Sequence, residues 1–181
     1  MAKHLMVDME TLAVSPRTAI LSLGAVHFNP FGNEIYDTLY FKIDLDDQDR
    51  LGREVDPNTL DWWAKQDPAI MEEAFGPDNR IPLIEAMDRF HKFAWGCNKF
   101  WSHGATFDLV ILEDVYKQLN KPLPWNYWQL RDTRTLFDLG FEPDMSKESK
   151  HDALQDAIRQ ARGVQNVFRS LNNLIVENET N

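Results

Sequence analysis

Apolar positions along the chain fall first into short runs with strand spacing and then into longer runs with helical spacing. Residues 4 to 10, 19 to 28 and 34 to 43 read as strands. "NPFGNE" joins the last two with the Pro, Gly and Asn of a hairpin turn, so the chain opens as a meander. "DLDDQDRLGREVDPN" is polar and acidic and reads as an exposed loop. "TLDWWAKQ" after it is helical, following the start signals Pro57 and Asn58. Helical patterns follow at about 68 to 75 and 81 to 95. "KFWSHG" at 99 to 104 predicts a short strand, and residues 106 to 120 an amphipathic helix with Thr106 as its N-cap. Past the two prolines of "KPLPW" come a weak strand at about 127 to 130, a short helix near 133 to 138 and a long helix from about 152 to 175, with a polar tail over about 176 to 181. Strands followed by interleaved strands and helices predict one mixed α/β domain over residues 1 to 181, with no repeat, low-complexity tract or linker.

At 181 residues, 43% of them hydrophobic, the chain is long enough to bury a sizeable core. Its one cysteine, Cys97, excludes an intrachain disulfide and a Cys-rich zinc site, and predicts a reducing, cytoplasmic setting. No apolar run approaches the roughly 20 residues that span a bilayer, and the start of the chain does not read as a secretory signal. The net charge of -10, from 19 basic and 29 acidic residues, argues against a broad basic surface for nucleic acid. It leaves room for a small site whose positive charge comes from metal ions.

The stretch "HLMVDMETLAVSP" sets two carboxylates, Asp8 and Glu10, inside an apolar strand. Side chains alternate along a strand, so Met6, Asp8 and Glu10 share one face and Leu5, Val7 and Met9 the other. Positions two apart lie roughly 6 to 7 Å from each other, a span that suits shared ligation of two cations about 3.5 to 4 Å apart. A solvated strand face is the ordinary alternative. Asp108 sits in the first turn of a helix among Phe107, Leu109 and Val110, where the helix dipole alone would favour an acid. In "KHDALQDAIRQA", His151 precedes Asp156 by five positions, about 500° of helix, so the two cannot share a helical face. To converge with Asp156, His151 must stand at the helix entrance or in the polar loop before it. A surface histidine beside a solvated aspartate is the plainer reading.

Together, Asp-x-Glu-Thr in the first strand, Phe-Asp opening a middle helix and His-x-Ala-Leu-x-Asp-Ala opening the last helix resemble the DEDDh exonucleases of the ribonuclease H-like superfamily. "DPNTLDWWAKQ", "RDTRTL" and "DAIRQA" most resemble the group that holds the phage exodeoxyribonuclease DexA and the bacterial exoribonuclease RNase AS, over about residues 4 to 170. The resemblance implies a mixed central sheet flanked by helices. It also implies 3′–5′ hydrolysis of terminal phosphodiester bonds in single-stranded RNA or DNA with a free 3′ end, releasing nucleoside 5′-monophosphates. Asp8, Glu10, Asp108 and Asp156 would hold two Mg²⁺ ions, with Mn²⁺ able to substitute, since both cations prefer hard oxygen donors. Asp152 is a rival for the fourth ligand, but the His-x4-Asp spacing selects Asp156. His151 would be the general base, a role that suits an imidazole whose ordinary pKa is near 6.5. Enzymes of this type are often homodimers, and 12% aromatic residues exceed what a small core needs.

Substrate contacts are expected from Met9 and Thr11, which flank the acidic pair, although Met9 also fits a core. Trp62 and Trp63 point about 100° apart on a helix, so one ring can enter the core while the other stacks on a base. Trp95, Trp101, Trp125 and Trp128 read as core or edge residues. His103 could meet a phosphate or serve structure at a strand end; Arg131 and Arg134 are candidate backbone contacts or ordinary surface residues. Two other classes fit less well. A catalytically silent nucleic-acid-binding module of the same fold would not need all five site residues. A calcium-binding loop at 44 to 56 lacks the EF-hand order, with Asp49 at the glycine position in one frame and Leu51 at a ligand position in the other.

Overall fold

A computed structural model describes residues 3–140 and 151–179. The meander forms as the pattern predicts: β1 (His4–Thr11), β2 (Ile20–Phe28) and β3 (Ile35–Ile43) pair antiparallel in sequence order. β5 (Lys99–Ser102) then adds parallel to β1, and β6 (Leu130–Asp132) parallel to β5. On the other edge, β4 (Arg80–Ile81) is a two-residue strand parallel to β3. The sheet order is β4-β3-β2-β1-β5-β6, which leaves β1 and β2 central and covered on both faces. Leu5, Val7 and Met9 pack with α4 (Leu83–Ala94) and α5 (Asp108–Gln118) on one side. Met6, Val26 and Phe28 pack against Ala157, Ala161, Val164 and Val167 of α7 (Ala153–Glu179) on the other.

Two helices, α2 (Pro57–Trp63) and α3 (Pro68–Phe75), cover the end of β1 and β2 through a smaller cluster of Leu12, Leu21, Trp63 and Ala74. Close contact on the other face depends on Gly24 of β2. A Cβ there would lie 2.3 Å from the backbone of Ala153 and Leu154, so only glycine lets the start of α7 rest on the strand. Gly24 is the cross-strand partner of Asp8, which puts the entrance of α7 beside that carboxylate.

Several expectations need correction. The acidic stretch after β3 is not an exposed loop throughout: Asp44 caps a short helix, α1 (Leu45–Arg50), by accepting from the N–H of Asp47. Gln48 of α1 is fully buried because its amide takes the place of a strand neighbour, accepting from Ile20 N at 2.8 Å and donating to Ile20 O at 2.9 Å. Arg53 is buried too, donating to Thr18 O and Pro16 O and pairing with Asp114. The stretch from residue 81 begins with the end of β4, since Pro82 fixes the N-cap and the helix starts at Leu83. Thr106 is not the cap of α5; Phe107 occupies that position without a side-chain bond, and Asp132 instead reaches across from β6 to accept from Ala105 N at 2.8 Å. Residues Tyr127–Gln129 form a 3₁₀ turn rather than the weak strand, which starts at Leu130.

The short helix near 133 to 138 is α6 (Thr133–Phe137), and the last helix runs on to Glu179 through most of the expected tail. Residues 141–150, including most of the polar run before His151, lie outside the described residues. Trp101 and Trp125 are core residues, whereas Trp95 and Trp128 are exposed. Cys97 is buried, and burial pushes its thiol up to about 11. No helix among the described residues is long and apolar enough to cross a membrane.

Candidate active site

The alternation of β1 turns Asp8 and Glu10 toward α7, and the helix returns Asp156 to the same place. One carboxylate oxygen from each of Asp8, Glu10 and Asp156 lies within 4.8 Å of the others. Asp108, buried at the first turn of α5, stands close enough to raise the pKa of both strand carboxylates. Burial, then Asp108, then Asp152 push Glu10 up to about 8. Burial, with Asp108 and Glu10, holds Asp8 well above the usual carboxylate range against the pull of Gln160 and Arg159. Burial also raises Asp108 to about 7, opposed by backbone N–H groups of Asp108 and Met9 and by the charge of Arg134. Three hard oxygen donors within 4.8 Å of one another, with Asp108 close enough to act on two of them, fit divalent cations such as Mg²⁺ or Mn²⁺.

His151 stands in the turn at the entrance of α7, as helical periodicity requires, with a left-handed φ of 70°. Its backbone N–H donates to Asp156 Oδ2 at 3.3 Å. Its ring meets Trp62 and Trp63 edge to face, at centroid distances of 4.8 and 5.9 Å. Asp152, the rival for fourth ligand, accepts from Leu154 N and Gln155 N and so caps the helix; Asp156 one turn on joins the cluster.

A cavity of about 460 Å³ opens beside these groups. Met9, Glu10 and Thr11 form one wall, and Trp62, Trp63 and Phe107 supply aromatic surface. The two tryptophans divide as consecutive helical positions must: Trp63 is buried and donates to Thr11 O at 3.0 Å, while Trp62 is 42% exposed. Met9 belongs both to the core and to this wall. The basic candidates do not line this cavity. Arg134 is exposed on α6, its guanidinium over Gly104, where φ is +111° and a Cβ would lie 2.8 Å from Nη1. His103 Nδ1 lies 2.8 Å from Thr133 Oγ1. Arg131 lines a separate cavity with Trp101 and Leu136, and its guanidinium donates to Trp128 O and Leu130 O.

Two further residues of the site lie within "DAIRQA" without a role assigned from sequence. Gln160 donates to Asp8 Oδ1 at 2.8 Å, and the Arg159 guanidinium lies on the Asp156 carboxylate. Their positions three and four after Asp156 put them on its helical face, the signal by which the sequence could have revealed them.

The sequence matches the model of the 3′–5′ exoribonuclease Rv2179c-like domain over residues 3–168. The chain belongs to this family. No match is found among curated proteins. Among solved structures, the Rv2179c-like chain is similar to E. coli exonuclease I in a zinc-bound complex with single-stranded DNA, with a TM-score of 0.68 and 14% identity over 92% of this chain. It is similar to the same enzyme with a dT13 oligonucleotide, with a TM-score of 0.66 and 13% identity over 97% of this chain and 44% of the other. Exonuclease I of Methylocaldum szegediense matches with a TM-score of 0.63 and 16% identity, over 92% of this chain and 40% of the other. The Rv2179c-like chain therefore shares their ribonuclease H-like fold and spans about two fifths of their length, 40% for the zinc-bound complex.

The crowded carboxylates carry a stability prediction for the metal-free protein. Glu10 holds its proton up to about 8 when folded but releases it near 4.5 when unfolded, so the unfolded state binds fewer protons between those values. Stability should then fall as pH rises through that window, by a few kcal/mol at the order-of-magnitude level. Glu10→Gln should flatten the fall. Thermal melts in chelator from pH 5 to pH 8 read this directly, and a wild-type stability that climbs across the window would reject it.

Proposed function

We propose that the domain is a metal-dependent 3′–5′ exonuclease of DEDDh type that removes 5′-mononucleotides from single-stranded nucleic acid. The observation that carries this reading is the meeting of Asp8, Glu10 and Asp156 oxygens within 4.8 Å at the rim of an aromatic cavity. The family's description as an exoribonuclease domain and the fold shared with exonuclease I support it.

Asp8, Glu10, Asp108 and Asp156 would hold two Mg²⁺ ions. When bound, the ions polarise the attacking water and neutralise charge on the departing 3′ oxygen. Gln160, by fixing one oxygen of Asp8, leaves the other to face the cluster. The terminal nucleotide enters between Thr11 and Trp62, whose exposed indole offers a stacking face. His151, beside Trp62, takes the proton of the attacking water. Arg134, close enough to act on Asp108, contacts the strand's phosphates. We assign the protein to the cytoplasm from its cysteine usage and expect a homodimer, which light scattering across the micromolar range checks.

Incubation with 5′-labelled and 3′-labelled single-stranded RNA and DNA of one sequence, with Mg²⁺ or Mn²⁺, tests the reading. The 5′ label should step down a ladder while the 3′ label appears at once as a mononucleotide. A fixed internal product, or no cleavage of either polymer, would reject it.

A further inference from the structure

The acidic charge of this chain is unevenly spread. Residues 89 to 107 and 115 to 131 contain no Asp or Glu, yet carry Arg89, Lys92, Lys99, Lys117, Lys121 and Arg131. Folding brings the two segments together. Gln129 donates its amide to the carbonyls of Cys97 and Asn98, at 3.5 and 3.2 Å, and β6 pairs with β5 from Leu130 and Phe100 onward. Lys3 joins them through two bonds with Asn98, of 3.1 and 2.8 Å.

This end of the domain also displays aromatic surface. Trp95 is 78% exposed, Tyr127 82% and Trp128 57%, and the last two rings meet edge to face at 5.0 Å. Lys99 and Arg131 both act on the buried His4 beside them, adding to burial in lowering its pKa to about 4. Several acids bordering the two segments are engaged: Asp88 accepts from Lys121, Glu85 from Arg89, Glu113 from Trp125, and Asp132 from the backbone N–H groups of Ala105 and Arg134. Because β1, β5 and β6 run parallel, their starts lie at this end while Glu10 lies near the far end of β1 and Asp108 past that of β5. The span from His4 to Glu10 along β1 is roughly 20 Å. The surface is therefore separate from the candidate active site.

We propose that this surface binds single-stranded nucleic acid, stacking bases on Trp95, Tyr127 and Trp128 and holding phosphates with Lys3, Lys99 and Arg131. Interleaved rings and cations are the composition of a stacking platform on an electrostatic track. Protein interfaces are depleted in lysine, whereas lysines flank these rings. On the exonuclease reading, on which the ligand's biological identity rests, the surface takes the part of a strand upstream of its 3′ end.

The test is binding of a labelled long oligouridylate to the full chain in chelator, where no turnover intervenes. Tyr127→Ala with Trp128→Ala should weaken binding roughly tenfold or more, since each stacked base contributes appreciably. Lys99→Gln, which removes a single half-buried charge, should lower the slope of log affinity against log salt by about 0.7. Turnover of a short oligonucleotide with Mg²⁺ should stay at the wild-type rate. Unchanged affinity and salt slope in folded variants would overturn the proposal. So would variants that break a homodimer in light scattering yet bind the oligonucleotide as wild type does, which would make the surface a protein interface. A wild-type protein that binds here but never hydrolyses would reject the exonuclease reading and uphold this surface.

Discussion

Asp8→Asn and Asp156→Asn should each abolish turnover with Mg²⁺ or Mn²⁺ while leaving a folded protein. Both side chains offer oxygens to one cluster, and a neutral amide there removes a unit of the charge that holds the cations. The asparagine exchange is the sharper test at position 8. It keeps an oxygen for the Gln160 amide, whereas Asp8→Ala would orphan that buried donor at a cost of about 1–3 kcal/mol. At position 8, removing one of several crowded carboxylates relieves repulsion, so metal-free Asp8→Asn should melt no lower than wild type at pH 8. The rise in melting temperature on adding Mn²⁺ to the wild type should shrink or vanish in the variants. Undiminished turnover in either variant would remove that carboxylate from the mechanism.

His151→Ala should lower turnover by a factor of roughly 10² to 10⁴, the usual contribution of a positioned general base. The Mn²⁺-dependent stabilisation should survive, because His151 is not one of the clustered carboxylates. Neutral imidazole accepts a proton and imidazolium does not. The wild-type rate should therefore rise with pH through the histidine titration, and that limb should be missing from the variant. Because the ring also lies against Trp62, a change in KM can accompany the loss, and kcat measured at saturating substrate isolates the base. A variant that keeps both the wild-type kcat and the limb would mean that another group takes the proton.

Sequence reasoning reached furthest where a periodic pattern and a chemical need coincide. Alternation in β1 put Asp8 and Glu10 on one face, and helical geometry required His151 to precede α7 rather than ride on it. It fell short where one side chain substitutes for regular structure. Gln48 supplies the hydrogen bonds that a neighbouring strand would give Ile20, and nothing in an acidic hydrophilic stretch announces a buried amide. Pro82 and Phe107 set helix starts through backbone geometry rather than through a capping side chain. Gly24 lacked a turn to mark it, because its role is to admit a helix from a distant part of the chain. The role of Gln160 was missed because its contact to Asp8 becomes visible only once strand and helix are docked, whereas Arg159 and Asp156 pair within one helix at a spacing of three.

The bond from Gln160 to Asp8 joins residues 152 positions apart, and the helix that makes it rests on Gly24. On a ribosome, β1 and β2 emerge long before the helix that completes the carboxylate cluster. Asp8 and Glu10 meanwhile have neither their partner Asp156 nor the docked helix that shields them. Cation binding can therefore reward only the finished fold, stabilising the last docking step without favouring any shorter intermediate. Synthesis order thus keeps the carboxylate cluster unassembled until nearly the whole domain is present.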